Sequence, residues 1–228
     1  MKTIAPIACS ALLLVACAKS EEATPVDMGY DHFPTEVGKW VEYQVDSMWR
    51  DDVVQVHDSI TYQLRVEVAE AYTDPAGRSA RRIERYVKNT NGEWVIRDVW
   101  TATRDERAAE LTEENKRRLK LAFPARNGMR WDCNVYNTDA AQEVMIEQAG
   151  QPWSANGLSF ESTLVVRNTV PANLVVRRDL VERYARGVGL VERRQEETTT
   201  NFTYPPNEPP VPVVRGFRSR MVVIDHGQ

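Results

Sequence analysis

Along residues 60–68 the apolar Ile60, Tyr62, Leu64, Val66 and Val68 alternate without a break with Thr61, Gln63, Arg65 and Glu67. A period of two puts each set on one side of an extended chain, so this stretch predicts an antiparallel strand with one buried face. Val41, Tyr43 and Val45 alternate with Glu42, Gln44 and Asp46 and predict another. Asp74-Pro75-Ala76-Gly77 closes the longer strand in a turn, with proline presetting φ and glycine ending it. Residues 81–89 and 93–103 flank Asn91-Gly92, the pair best suited to the positive φ angles of a type I′ hairpin. On an unbroken strand Trp94, Ile96 and Trp100 share one face, read as core; stacking of a sugar or lipid chain on the indoles is the alternative.

Residues 107–119 have helix-favouring composition but a poor apolar period, while Leu119, Leu121 and Phe123 alternate into Pro124. The expectation is a strand at 117–123 after a turn or short helical piece. Further strands are expected at 129–136, 143–148, 158–170, 175–185, 190–202 and 213–225. Residues 150–157 and the bend at Gly187-Val188-Gly189 read as connections. Residues 204–212 carry five prolines and read as an exposed extended loop that cannot pair in a sheet. The fold class is therefore all-β, with minor helix content: a single strongly curved antiparallel sheet or a partly closed barrel. Its concave face would carry Trp40, Tyr43, Trp94, Trp100 and Phe160. These either line a hollow for an apolar ligand or simply pack together.

The N-terminus changes the picture. Lys2, an apolar run over residues 4–16 and the small Ala16 make a secretory signal too short to span a bilayer, which needs roughly 20 residues. Leu14-Val15-Ala16-Cys17 resembles the lipobox of bacterial lipoproteins. That resemblance implies cleavage before Cys17, a diacylglyceryl thioether on its sulfur and acylation of the new amine; an ordinary signal that ends in cysteine is the plainer alternative. Two or more acyl chains anchor stably. Residues 18–32 read as a flexible tether, with a reach of about 50 Å if fully extended. The division is thus 1–16 signal peptide, 17–32 lipidated cysteine and tether, 33–228 one β domain. Ala18 rather than Asp after the cysteine resembles lipoproteins released to the outer membrane. Lys19-Ser20-Glu21-Glu22 resembles the export signal of surface-exposed lipoproteins of Bacteroidota, which favours an outward-facing protein over a periplasm-facing one.

Without residues 1–16 the chain holds 28 Lys+Arg (29 less Lys2) against 33 Asp+Glu, a mildly acidic balance with no basic field for nucleic acid. The interspersed charges of residues 78–85 read as the solvated face of a sheet. Once Cys9 leaves with the signal and Cys17 carries lipid, Cys133 stands alone, so no disulfide inside the chain is expected. Asp51-Asp52 with His57-Asp58 comes nearest to a metal cluster but lacks the spacing of known centres, so no metal and no cofactor is expected. No nucleophile elbow, phosphate-cradling loop or zinc-hydrolase helix is present, and no catalytic residue is assigned. Asp58-Ser59-Ile60 resembles the short acceptor for O-glycosylation of exported Bacteroidota proteins, which makes Ser59 a candidate modification site.

Three longer motifs resemble uncharacterised lipoproteins of Bacteroidota. They are Phe33-Pro34 with Gly38, Trp40 and Tyr43; Leu121-Ala122-Phe123-Pro124 with Gly128 and Trp131; and Tyr184-Ala185-Arg186-Gly187-Val188-Gly189-Leu190-Val191. The resemblance implies a lipoprotein β domain, related in shape to the half-barrels of lipoprotein carriers, and implies no activity. The first expectation is a non-enzymatic accessory or interaction module of the cell envelope. It would be bound to the membrane through its lipid and open to an envelope protein partner at sheet edges or at the loop 205–212. The second is a carrier or acceptor of lipid or another apolar ligand. An envelope hydrolase ranks third.

Overall fold

The computed structural model describes residues 25–169 and 173–228. Alternation of apolar and polar residues does build strands, and they join one sheet. In chain order these are β1 Trp40–Asp51, β2 Val56–Thr73, β3 Ser79–Lys88, β4 Trp94–Arg104, β5 Ala108–Glu113 and β6 Lys116–Ala122. The second half comprises β7 Arg130–Asp132, β8 Glu143–Ala155, β9 Leu158–Asn168, β10 Val176–Ala185, β11 Gly189–Thr203 and β12 Val211–Gly227. All pairings are antiparallel, in the order β6-β5-β4-β3-β2-β1-β12-β11-β10-β9-β8-β7. Sheet neighbours are chain neighbours throughout, except that β1 and β12 bring the two ends of the domain together.

This is an up-and-down meander rolled almost shut, with one seam between β6 and β7. Across the seam Leu119 N–H donates to the Cys133 carbonyl at 3.0 Å. Trp131 Nε1 donates to the Leu119 carbonyl at 2.9 Å, and Asn137 Nδ2 to the Arg117 carbonyl at 2.9 Å. The edge strands are thus bridged instead of left as templates for aggregation. Inside, one core cluster joins Leu121, Phe123, Ile146, Leu164 and Tyr184. A second joins Tyr43, Leu64, Phe160, Val191 and Val223. Cys133 is buried and unpaired, so burial and hydrogen bonding hold the described domain.

Several local expectations are corrected. Residues 108–113 form strand β5, not a turn or helix, because β4 and β6 flank them and a two-residue turn follows, with Glu114 and Asn115 at φ 49° and 62°. The hairpin at Asn91-Gly92 is not type I′. Only Gly92 has positive φ, and Gly92 N–H bonds to the Asn89 carbonyl, so three residues close the loop. Residues 150–155 continue β8, and the two-residue turn lies instead at Asn156-Gly157, between Ala155 and its partner Leu158. Of the strand expected at 129–136 only Arg130–Asp132 pairs. Pro212 does enter the sheet, opposite Phe202. It can, because β1 ends opposite Arg215 and leaves that side of β12 without a ladder neighbour. The end of the strand expected at 158–170 falls at Val170, outside the described residues.

The packed body also begins earlier than Phe33. A single 3₁₀ turn, Tyr30–His32, is the helical content among the described residues. Met28, Tyr30 and Phe33 pack on the core, His32 is buried, and Arg186 pairs with Asp27 and Asp31. Residues 27–33, expected to belong in part to a tether, are thus held against the body. Cys17 lies outside the described residues.

β1, β2, β10, β11 and β12 run on past the barrel. β3 pairs with β2 only from Leu64 onward, and β9 with β10 only from Val181. Residues 56–63 and 176–180 therefore form the edges of a strip exposed on both faces, with Ile60 60% and Val53 72% exposed.

Candidate functional site

Bulges decide what faces the barrel interior. Where Ala109 pairs with Leu121 and Glu110 with Leu119, Lys120 is the extra residue of β6. Arg97 is the extra residue of β4, between Asp98 opposite Arg85 and Ile96 opposite Tyr86. Val191 plays the same part in β11, between the Arg183–Glu192 and Tyr184–Leu190 pairs. Each insertion shifts the inward-facing set by one residue, a device that re-aims side chains locally.

The interior holds two spaces. One, of about 150 Å³, has apolar walls that include Tyr43, Val66, Ile83, Trp100 and Leu111. The other, of about 520 Å³, is more polar and is lined by residues such as Asn134, Asp139, Asn168 and Gln195. Glu113, Lys120 and Arg193 line both, and so form the partition. Lys120 Nζ lies 2.6 Å from Glu182 Oε1 and 3.3 Å from Glu113 Oε1. Arg193 adds ion pairs to Glu113 at 3.6 Å and to Glu182 at 3.5 Å. Tyr184 Oη donates to Glu182 Oε2 at 2.7 Å.

Two cations facing two carboxylates make this a neutral set removed from water. Burial pushes the Glu113 carboxyl up, but Lys120 and Arg193 together outweigh it and bring its pKa down to about 2. Glu182 also lies below its ordinary value, for the same balance of reasons. Burial and the adjoining Glu182 carboxylate push the Tyr184 phenol far up. At neutral pH the partition therefore holds two carboxylates, two cations and a neutral phenol.

The five aromatic residues expected on one concave face separate. Tyr43 and Trp100 line the apolar cavity. Tyr43 Oη is engaged by the Leu190 carbonyl at 2.7 Å. The Arg85 guanidinium lies 3.7 Å from the Trp100 ring centroid and is paired to Asp98 at 3.0 Å. Trp40 borders the cavity, but its indole lies beneath Arg65 at 4.3 Å and against Gly227. Trp94 does not share a face with Trp100: it pairs with Lys88 while Trp100 pairs with Ile83, and the Arg97 bulge puts the two on opposite sides of β4. Phe160 is packed in the second core cluster against Trp153, with ring centroids 6.0 Å apart, and leaves the cavity wall to others.

Ser59 is exposed, but it sits within β2 opposite Met48 and not in a loop. Asp51 and Asp52 are taken up by arginines, Asp52 by Arg50 at 2.6 Å and Asp51 by Arg215 at 2.9 Å, with His57 Nε2 2.9 Å from Asp52. Among the described residues no group of three or more His, Cys, Asp or Glu is arranged to hold a metal ion. Burial pushes the Cys133 thiol up, away from the thiolate a nucleophile needs.

Glu113, Lys120, Glu182 and Arg193 are the site residues that sequence reading missed. Their charges look like those of a solvated face, and nothing in a single sequence marks the bulge that turns Lys120 inward.

No family model matches the chain, and no curated protein matches it. Two solved structures resemble it. One is a protein of Parabacteroides distasonis provisionally described as a lipoprotein, 12% identical, with TM-score 0.40, over 86% of this chain and 98% of that one. The other is a protein of Bacteroides fragilis provisionally described as exported, with a YmcC-like fold, 11% identical, with TM-score 0.45, over the same shares. At these identities no residue role passes from either protein to this chain.

Proposed function

We propose that this chain is a non-enzymatic lipoprotein of the bacterial outer membrane, outward-facing and held by acyl groups on Cys17, whose barrel carries a small apolar ligand. The observation that supports carriage is the unfilled space between Tyr43, Val66, Ile83, Trp100 and Leu111. Protein interiors pack as densely as organic crystals. A space of about 150 Å³ interrupts that packing here, and an apolar occupant would cover the apolar side chains that face it. Space of this size takes a benzene-sized group, so a ring or part of an acyl chain fits within it, with the rest of the occupant free to extend outward.

Within the partition Lys120 and Arg193 hold the Glu113 and Glu182 carboxyls below their ordinary values. Neither is therefore protonated at neutral pH to serve as a general acid. The test is a native mass spectrum of residues 18–228, the stretch that contains every strand, after export to a bacterial periplasm. An added mass that disappears on denaturation and extracts as an apolar compound is expected. A bare protein mass in every preparation overturns the reading.

A second reading, an accessory module that binds an envelope protein, is favoured by the strip beyond the barrel. Among the described residues its edge along 56–63 has no neighbouring strand, and Met48, Trp49 and Ile60 are exposed on the strip. Such an edge can accept a partner strand. Crosslinking in cells that recovers no reproducible partner through this edge would count against it.

A further inference from the structure

The polar part of the apolar cavity's lining is one-sided. Lys39, Arg81, Arg85, Lys120 and Arg193 line it, against the single acid Glu113. Behind the wall Asp98 pairs with Arg85, and Glu182 with Lys120 and Arg193. Even with these two added, five cations stand against three acids, in a chain whose formal net charge is −4. Lys39 and Arg81 are the unneutralised pair. Lys39 Nζ donates to the Gly187 carbonyl at 2.6 Å, and Arg81 to the Thr35 and Ala80 carbonyls and Ser79 Oγ. Among the described residues neither forms an ion pair with a carboxylate.

Both of these cations bond to neutral acceptors, so what this side of the lining lacks is a counter-charge. An acid group carried by the occupant supplies one.

We infer that the occupant is a monoanionic amphiphile, of which a medium-chain carboxylate is the simplest example. Its hydrocarbon lies against Val66, Ile83 and Leu111, and its acid group lies in the field of Lys39 and Arg81. Apolar walls alone would take a neutral alkyl compound equally well. The cation excess is what selects the acid, since hydrogen bonds to a charged acceptor are roughly twice as strong as neutral ones.

This inference rests on the ligand-carrying reading, and three probes of equal chain length separate the two. Residues 18–228 are titrated calorimetrically at neutral pH with octanoate, 1-octanol and octylammonium. Octanoate is expected to bind about tenfold more tightly than octanol, with octylammonium the weakest. Octanol binding as tightly as octanoate overturns the anionic assignment and leaves the carrier reading standing. Saturable binding of none of the three overturns both.

One variant locates the head group. Lys39→Gln/Arg81→Gln removes the two cations that lack carboxylate partners and is expected to weaken octanoate about threefold or more relative to octanol. An octanoate affinity unchanged in this variant overturns the assignment.

Discussion

Lys120 Nζ lies 2.6 Å from Glu182 Oε1 with both side chains almost wholly removed from solvent, and Lys120 is also the extra residue of the β6 bulge. The two facts belong together. A lysine in regular register would follow the pleat between Leu119 and Leu121, whereas the bulge frees its direction and puts its ammonium among Glu113, Glu182 and Arg193. Such a set adds little net stability over a well-packed apolar one, but it is costly to break. It fixes which residues close the inner end of the apolar cavity.

Lys120→Met should therefore destabilise the domain by about 3–5 kcal/mol, because two buried carboxylates are left with one cation. Adding Glu182→Gln removes the surplus charge and should recover a good part of that loss. Urea unfolding of the single and double variants measures both. Equal stability of the two would mean that the charges do not act as a set.

Glu113, together with the likewise lowered Glu182, and His32 give stability its pH dependence. Glu113, at about 2 in the fold against its ordinary 4.5, stabilises fully above 4.5 and loses that contribution as pH falls toward 2. His32 is lowered from 6.5, chiefly by burial. Its neutral ring is favoured in the fold, so its contribution is full above 6.5 and declines as pH falls below it, where the unfolded chain takes up the proton first. Urea midpoints should thus fall in two stages on acidification, one below about pH 6.5 and one below about pH 4.5. His32→Asn, which keeps a donor for the Gly29 carbonyl, should flatten the first stage and leave the second.

Gly216 and Gly92 separate two roles of glycine. A Cβ on Gly216 would stand 2.0 Å from the Glu197 carbonyl oxygen, at φ +143°. At Gly92, φ is +82° and nothing lies within 4 Å of the added carbon. Gly216→Ala should cost about 3 kcal/mol or more by forcing β11 from β12, and Gly92→Ala only the torsional ~1–2 kcal/mol. Thermal or urea unfolding ranks them, and equal costs would contradict the close approach at Gly216.

The seam offers a local test. Trp131→Phe keeps an aromatic ring and removes one hydrogen bond to Leu119, a loss of about 1 kcal/mol. Hydrogen exchange at the Leu119 amide, which bonds to Cys133 across the same seam, should quicken in this variant while exchange in β1 and β12 stays as it was.

Strands with clean alternation were legible in the sequence. The Val41, Tyr43 and Val45 set and the Leu64 to Val68 set describe β1 and much of β2, and the all-β curved sheet follows from them. The inner surface was not legible, for a physical reason. A period of two names a face only up to the next bulge, and the insertions at Arg97, Lys120 and Val191 each reverse the assignment beyond them. Thus Trp94 and Trp100, six residues apart, part company, and Glu113, Lys120 and Arg193 turn inward despite their charge. β5 was lost to its helix-favouring composition, which pairing with β4 and β6 overrides. The packing of Tyr30 and His32 was hidden because it depends on Arg186 and on core neighbours far along the chain.

The most direct test of the central claim is the nitrogen–proton spectrum of the six tryptophan indoles in residues 18–228, with and without saturating octanoate. The ligand-filled cavity predicts a large shift of the Trp100 indole N–H and none at Trp94 on the opposite face. A spectrum in which Trp100 stays fixed, while exposed Trp49 moves or no indole moves at all, would contradict it.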